Sequence, residues 1–364
     1  MSELRVVRAE GGPDARGQQI GRELRDLIND SVDFYHRYFS RRGVSSQELQ
    51  DLLTPYLVAA EAQFPAQMST LKGMSVGAMV PVLELFAINA FEELEPMLEA
   101  PEGQLLFLQR KEGYLTPPRS EHCSSISISS NGSTILAHNE HWLAGDRGNV
   151  AVVIDVPDDR AVSVASPTIA CCLPAVGMNS LGAAQGIGSL TACDDGVGVP
   201  RVLVSRNSLE SMDRADAIAR AGMPRRAGGY GHVFAFADGD ALTVETTSER
   251  LAVLDGPGVH TNHYVDPALA VLGPAPSEGS RARYDRLTQL LGERHPTTVP
   301  EVMEIMADHG SSPQAVCLHP DPAEGDEAST VMFSMVTDVR ERRMWVAPGN
   351  PCETPYVEID LAGF

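Results

Sequence analysis

Cys123 stands between a polar, proline-rich stretch, Leu115 to His122, and the alternating segment Ser124-Ser125-Ile126-Ser127-Ile128-Ser129. A lone cysteine is by default a small buried hydrophobe. Here Glu121 and His122 precede it and two serines follow, which is not the pattern of a core. A cut between His122 and Cys123 would give the residue that carries the thiol a free α-amine as well. An α-amine has an unperturbed pKa of about 8 and accepts a proton close to neutral pH. Nucleophile and base would then sit on one residue, the logic of N-terminal nucleophiles.

Two more polar clusters could assist such a thiol. Ala137-His138-Asn139-Glu140-His141-Trp142 closes the hairpin that opens at Cys123, so its end returns beside the thiol. It reads either as a site or as a solvated strand end. His260-Thr261-Asn262-His263-Tyr264 follows Gly256-Pro257-Gly258 and crowds amide and imidazole groups into one loop. An asparagine N–H is a good donor to an oxyanion. Metal binding through His260 and His263 competes with that reading, with Asp266 the only nearby carboxylate. Gly73-Met74-Ser75-Val76-Gly77 matches GxSxG, but its preceding segment reads as helix where a nucleophile elbow needs a strand. Ser69-Thr70-Leu71-Lys72 matches SxxK without a KTG partner. There is no phosphate loop and no GxGxxG, and Asn131-Gly132-Ser133 reads as a turn.

The elements that must position these groups change character at Cys123. Before it, Ile20, Leu24, Leu27 and Ile28 recur at helical spacing, as do Leu49, Leu52, Leu53, Tyr56 and Leu57. A further helix is expected from Val82 to Leu98, with Pro81 at its start and a face of Leu83, Phe86, Ala87, Ala90, Phe91 and Leu94 that is core or a dimer contact. Pro101, Pro117 and Pro118 break the pattern. After Cys123 come short strands: a hairpin turning at Asn131-Gly132, then Val150–Val156 with a turn at Pro157-Asp158-Asp159, Ala161–Val164, Ala183–Gly186, His232–Ala237, Ala241–Glu245, Val331–Val336, Met344–Val346 and Val357–Ile359. Helices are expected over Arg201–Ser208, Arg214–Ala221, Arg281–Leu291 and Val299–Ala307. The class is α+β, and a helix–sheet–sheet–helix sandwich fits.

A chain of 364 residues with 43% hydrophobic and 21% charged residues is long enough for a large core. Its formal charge of −21 argues against nucleic acid and anionic membranes as partners. No apolar stretch approaches the ~18 residues of a membrane span, and the start MSELRVVRAEGG does not read as a secretory signal. Six cysteines without paired spacing suggest free thiols in a reducing cytoplasm.

Together these motifs resemble the acyl-coenzyme A:isopenicillin N acyltransferase family (peptidase C45-like) of N-terminal-nucleophile (Ntn) hydrolases. The likeness rests on Gly17-Gln18-Gln19-Ile20-Gly21, Cys123-Ser124-Ser125, Asn139-Glu140-His141-Trp142, Val259-His260-Thr261-Asn262-His263, and the tail from Trp345 to Cys352. It implies a four-layer αββα core over 123–364, preceded by a helical segment 1–122 that becomes a separate chain if His122–Cys123 is cut. It implies that Cys123 is the nucleophile, with processing at His122 and Cys123, and that Asn262 helps bind the oxyanion. Beside these, catalytic roles are expected for Asn139 and, from its position, His141, and supporting or substrate-binding roles for Glu140, Trp142, His260, Thr261, His263 and Glu245. The substrates it implies are small amides, acylated amines or an acyl-coenzyme A donor, without metal or cofactor; a homo-oligomer is compatible. The chain departs from the family where His122 replaces the usual Gly, His141 the usual Asp, and Ala315-Val316-Cys317-Leu318 the usual Ser-Ile-Cys-Arg. The expected activity is amide hydrolysis through a thioester. The alternatives are acyl transfer to an amine and an uncut binding protein without catalysis.

Overall fold

The computed structural model describes residues 4–98, 123–130, 133–158, 162–362 and 364. His122, Pro101, Pro117, Pro118, the turn at Asn131-Gly132, Asp159 and Ala161 lie outside the described residues. Among the described residues, strands form two sheets. The eight-stranded sheet runs β1 (Arg5–Gly11), β4 (Val150–Pro157), β5 (Val164–Ile169), β6 (Gly177–Asn179), β7 (Ala183–Leu190), β8 (Gly229–Phe236), β9 (Ala241–Thr246) and β10 (Leu251–Asp255). The six-stranded sheet runs β11 (Val259–His260), β2 (Ser124–Ser130), β3 (Ser133–Leu143), β12 (Ser329–Asp338), β13 (Arg343–Ala347) and β14 (Val357–Glu358).

The sheets face each other, β2 and β3 lying against β7 and β8. Helices Arg201–Ser208 and Arg214–Ala221 cover the outer face of β8 and β9. Helices Glu278–Arg294 and Val299–Met306 cover the other sheet, where Leu287, Leu290, Val302 and Ile305 pack on Ile126, Ile135 and Ala137. The result is the four-layer αββα sandwich.

Burial on both faces explains the composition of β2. Ile126 and Ile128 fill the helix-side layer, while Ser125 lies where β7 comes so close that a Cβ on Gly186 would sit 2.7 Å from its Oγ. Small polar residues on one face and branched apolar ones on the other suit the period of two.

The N-terminal segment is less purely helical than expected. Arg5–Gly11 is a strand, paired in parallel with β4. Its solvent-side residues and short length hid it beside the helical pattern that follows. The expected helix Val82–Leu98 is two, Val82–Asn89 and Phe91–Leu98, separated at Ala90; Phe86, Ala87, Ala90, Phe91 and Leu94 are buried in the core. The strand expected to end at Val164 instead begins there and runs through Pro167. That proline is tolerated because β6 pairs only with Val164 and Ala165, leaving the side of Pro167 away from β4 without a strand neighbour.

The GxSxG-like string is a packing device. Helix Pro13–Glu23 crosses helix Pro65–Ala78 through Gly17, Gly21, Gly73 and Gly77. A Cβ on Gly17 would lie 2.0 Å from the Thr70 carbonyl, and one on Gly73 would lie 2.3 Å from the Asp14 carbonyl. These backbones cannot be so close with any side chain between them. Gly73→Ala is expected to destabilise the protein by about 2 kcal/mol, the scale of an overpacked core. Gly12→Ala, where nothing lies within 4 Å, should leave the denaturant midpoint within the scatter of the wild type.

Candidate active site

The register of β2 on β3 pairs Ser124 with Asn139 and Ser125 with His138. Alternation then sends Cys123, Ser125, His138, Glu140 and Trp142 toward the space between the sheets. Cys123 is 6% exposed. Its Sγ lies 3.3 Å from Glu140 Oε1. Glu140 Oε2 is 2.9 Å from His138 Nε2, and His138 Nδ1 is 2.9 Å from Ser125 Oγ. Burial, and then the charge of Glu140, push the Cys123 thiol well above its ordinary range. In this arrangement it is a neutral thiol donating to a carboxylate. Cys123, His138 and Glu140 donor atoms converge closely enough for a metal, but both imidazole nitrogens of His138 already face Ser125 and Glu140.

Behind the thiol lies Arg283, fully buried on helix Glu278–Arg294. It donates to the Cys123 carbonyl (2.6 Å), to Ser124 Oγ (2.8 Å) and to Asn262 Oδ1 (2.9 Å). Asn262 Nδ2 in turn donates to the Ser189 carbonyl at 3.3 Å. One guanidinium therefore ties the backbone of Cys123 to the amide of Asn262.

The loop that carries Asn262 is held from below. His260 Nε2 lies 2.9 Å from Glu245 Oε1, and Glu245 accepts from the Val265 and Asp266 backbone N–H groups at 2.6 and 2.9 Å. Burial opposes the charge of Glu245, yet these bonds hold its carboxyl below the usual range. The imidazole nests on Gly231, where a Cβ would come within 2.0 Å of the ring. Thr261 Oγ1 and His263 Nδ1 share Ser280 Oγ at 3.0 and 2.7 Å. Burial, then the neighbouring His260 and Arg281, lower His263 to about 4. His260 and His263 thus have separate partners and do not converge as metal ligands.

Asn139 and His141 are placed differently from the expectation. Odd-numbered residues of β3 face the helices, away from the thiol. Asn139 Nδ2 donates to the Met306 and Val316 carbonyls, both at 2.9 Å; the His141 backbone carbonyl lies 4.0 Å from Cys123 Sγ. The even-numbered neighbours, His138 and Glu140, take the places beside Cys123.

The thiol borders a cavity that is open on one side to solvent. Ile88, Phe91, Trp142, Ile187, Tyr230 and Phe333 give it a mostly apolar wall. The wall comes from the N-terminal helices and both sheets. Phe91 and Trp142 rings lie 5.4 Å apart, and Trp142 Nε1 donates to Tyr35 Oη. Among the polar lining residues, Glu92 accepts from Tyr230 Oη; burial raises its carboxyl to about 7, against the pull of Arg201.

Sequence reasoning missed Arg283, Glu92 and Tyr230, and named His138 and Ser125 only within their strings, without a role of their own. Arg283 carried a signal: it occupies the stripe Arg283, Leu287, Leu290 that faces the sheet, where a cation needs a buried partner set. His138 and Ser125 were legible from strand alternation alone. Glu92 and Tyr230 meet across 138 residues of chain, and no local pattern joins them.

This sandwich, with polar groups gathered at the head of β2, is the architecture of the Ntn hydrolases. The chain belongs to the acyl-coenzyme A:6-aminopenicillanic acid acyl-transferase family, which matches residues 129–353. The match contains Glu140, Trp142, Asn262 and Arg283 and begins just after Cys123. Among solved structures, the chain is similar to penicillin V acylase from Agrobacterium tumefaciens, with 13% identity and a TM-score of 0.43 over 66% of this chain and 86% of that one. It is also similar to a single-residue variant of conjugated bile acid hydrolase from Clostridium perfringens, with 12% identity and a TM-score of 0.42 over 66% of this chain and 93% of that one. No curated protein sequence matches the chain significantly.

Glu92 gives the cavity a pH signature. Its folded pKa lies above the unfolded value, so the stability it contributes is full at low pH and is lost as pH rises through about 7. Glu92→Gln should remove this loss. Urea unfolding at pH 5 and pH 8 should show the wild type falling relative to the variant by on the order of 3 kcal/mol.

Proposed function

We propose that the protein cleaves the amide bond of small N-acylated molecules through a thioester on Cys123, after cutting itself before that residue. The observation that carries this is the Cys123 thiol, set against Glu140 at the edge of a mostly apolar cavity. A thiol raised by burial and a neighbouring carboxylate is a poor nucleophile. A free amine on the same residue supplies what is lacking: a base beside the sulfur and, once protonated, a positive charge that opposes both effects.

Processing would begin with attack of Cys123 Sγ on the His122 carbonyl. The His122–Cys123 C–N bond breaks, the amine of Cys123 takes the proton, and a thioester forms on Sγ. Water opens the thioester, leaving residues 1–122 and residues 123–364 as two chains. In turnover the α-amine takes the thiol proton, Sγ attacks the substrate carbonyl, and the proton passes to the leaving amine. Asn262, held by Arg283, donates to the oxyanion together with a backbone N–H. Water then releases the acid. His260 and Glu245 keep the Asn262 loop in place; Trp142 walls the acyl pocket. An aliphatic or aromatic acyl group suits that lining better than a charged one.

Transfer of the acyl group from a thioester, including an acyl-coenzyme A, to an amine is the second reading, favoured by the family to which the chain belongs. It uses the same acyl-enzyme and differs only in what attacks it. The six free cysteines among the described residues fit a reducing compartment such as the cytoplasm.

Mass spectrometry of the purified chain, followed by incubation with a panel of N-acyl amines and acyl-thioesters, tests the proposal. The expected result is a fragment beginning at Cys123 that gains the acyl mass on that residue. Cys123→Ala should remain a single chain and lose at least about 10³-fold in activity. An uncut wild type with full activity would overturn the self-cleavage and α-amine mechanism; an alanine variant that turns over normally would end the proposal altogether. The ratio of acid to amide product with added amines separates hydrolysis from transfer.

A further inference from the structure

Far along the chain from the thiol, four metal-ligating side chains converge on one point. His309 follows helix Val299–Met306, Cys317 and His319 lie on the segment leading to β12, and Cys352 lies just after β13. The donor atoms of all four lie within 4.8 Å of one another. His309 Nε2 is 3.1 Å from His319 Nε2, Cys352 Sγ is 3.2 Å from His319 Nε2, Cys317 Sγ is 3.5 Å from Cys352 Sγ, and Cys317 Sγ is 4.0 Å from His319 Nε2.

A tetrahedral zinc ion with bonds of about 2.3 Å to sulfur and about 2.05 Å to nitrogen requires ligand–ligand edges of roughly 3.3 to 3.8 Å. The four measured edges bracket that range. Neither a core nor a disulfide accounts for the cluster: His309, His319 and Cys352 are exposed, and both cysteines are free thiols. Hydrogen bonding accounts for it poorly, because His319 Nε2 faces His309, Cys317 and Cys352 at once but offers only one proton or one lone pair. A single cation satisfies all four.

The surroundings are those of a ligand set held in place. His319 turns its Nδ1 toward Glu353 Oε1 at 3.7 Å, the carboxylate contact that orients a ligating imidazole. Asn350 Nδ2 donates to Cys317 Sγ at 3.6 Å and to the Leu318 carbonyl at 2.7 Å. Gly349, with φ of +121°, allows the turn that brings Cys352 back to Cys317.

We propose that His309, Cys317, His319 and Cys352 form a structural zinc site. Two thiolates and two imidazoles select zinc over magnesium or calcium. Four protein ligands leave no position for substrate, so the ion holds structure rather than doing chemistry. What it holds is specific. It joins the segment after helix Val299–Met306 to the turn after β13. Asn139, behind the catalytic strand, bonds to the carbonyls of Met306 and Val316 at either end of that same segment. The ion therefore supports the helix-side face of β3 independently of any processing at Cys123.

The full chain, purified under reducing conditions without chelator, should contain one zinc per molecule by plasma mass spectrometry. After removal of metal, Zn²⁺ should rebind stoichiometrically and raise Tm by several degrees. Co²⁺ should give the thiolate charge-transfer and intense visible bands of a tetrahedral S₂N₂ site. The His309→Ala/Cys352→Ser double variant, at exposed positions, should keep its far-ultraviolet circular dichroism and lose the zinc, the Tm response and the cobalt spectrum. A folded, reduced wild type that takes up no zinc at micromolar concentration would overturn the proposal, as would equal zinc in the double variant or an octahedral cobalt spectrum. These readouts are blind to amidase activity, so failure of either proposal is recognisable without the other.

Discussion

The hydrogen-bonded register between β2 and β3 decides what chemistry surrounds Cys123. With Ser124 opposite Asn139 and Ser125 opposite His138, alternation brings Glu140 to the sulfur and turns Asn139 and His141 toward the helices. A slip of one residue on β3 would exchange the two sets and bury the apolar face of the strand against the wrong layer. The register is locked from both sides. Ile126, Ile135 and Ala137 pack under helices Glu278–Arg294 and Val299–Met306, and glycines of β7 and β8 let Ser125 and His260 approach where any Cβ would collide. Arg283 adds a third lock by holding the Cys123 carbonyl itself.

The cavity depends on a second buried arginine. Arg201 pairs with Glu93 at 2.8 Å and with Asp195 at 2.8 Å, and it donates to the Gly229 carbonyl at 3.2 Å. It thereby fastens helix Phe91–Leu98 to β8, which brings Glu92 against Tyr230 and Phe91 against Trp142. Gly228 marks the fit, since a Cβ there would sit 2.1 Å from the guanidinium. Buried charge of this kind is costly unless every partner is in place, so the cavity has a fixed rather than an adaptable wall on this side.

Much of this was legible in the sequence. Helices Arg201–Ser208 and Arg214–Ala221 were bounded correctly because their periodicity is closed by turn residues on both sides, and the two-sheet class followed from short alternating segments. The parity of β3 was readable as well, in His138 and Glu140 against Asn139 and His141; matching to family motifs favoured the other face. The strand Arg5–Gly11 was not legible, because its partner β4 lies about 145 residues away and its exposed side reads like the start of a helix. Arg283 and the Cys317, His319, Cys352 and His309 cluster show a similar limit. Spacings as uneven as these carry no local signature, and only the return of the chain brings the groups together.

Strand β1 has a further consequence. It adds seven residues of parallel pairing to β4, so a break after residue 122 leaves one sheet woven from two polypeptides. Their separation would strip β4 of its neighbour and uncover the aromatic cluster around Phe91, a cost that opposes dissociation. Denaturation changes the order of the problem: an intact chain refolds at a rate independent of concentration, whereas a severed pair must first find each other. Maturation would then make folding a one-way event, completed before the break and hard to repeat afterward.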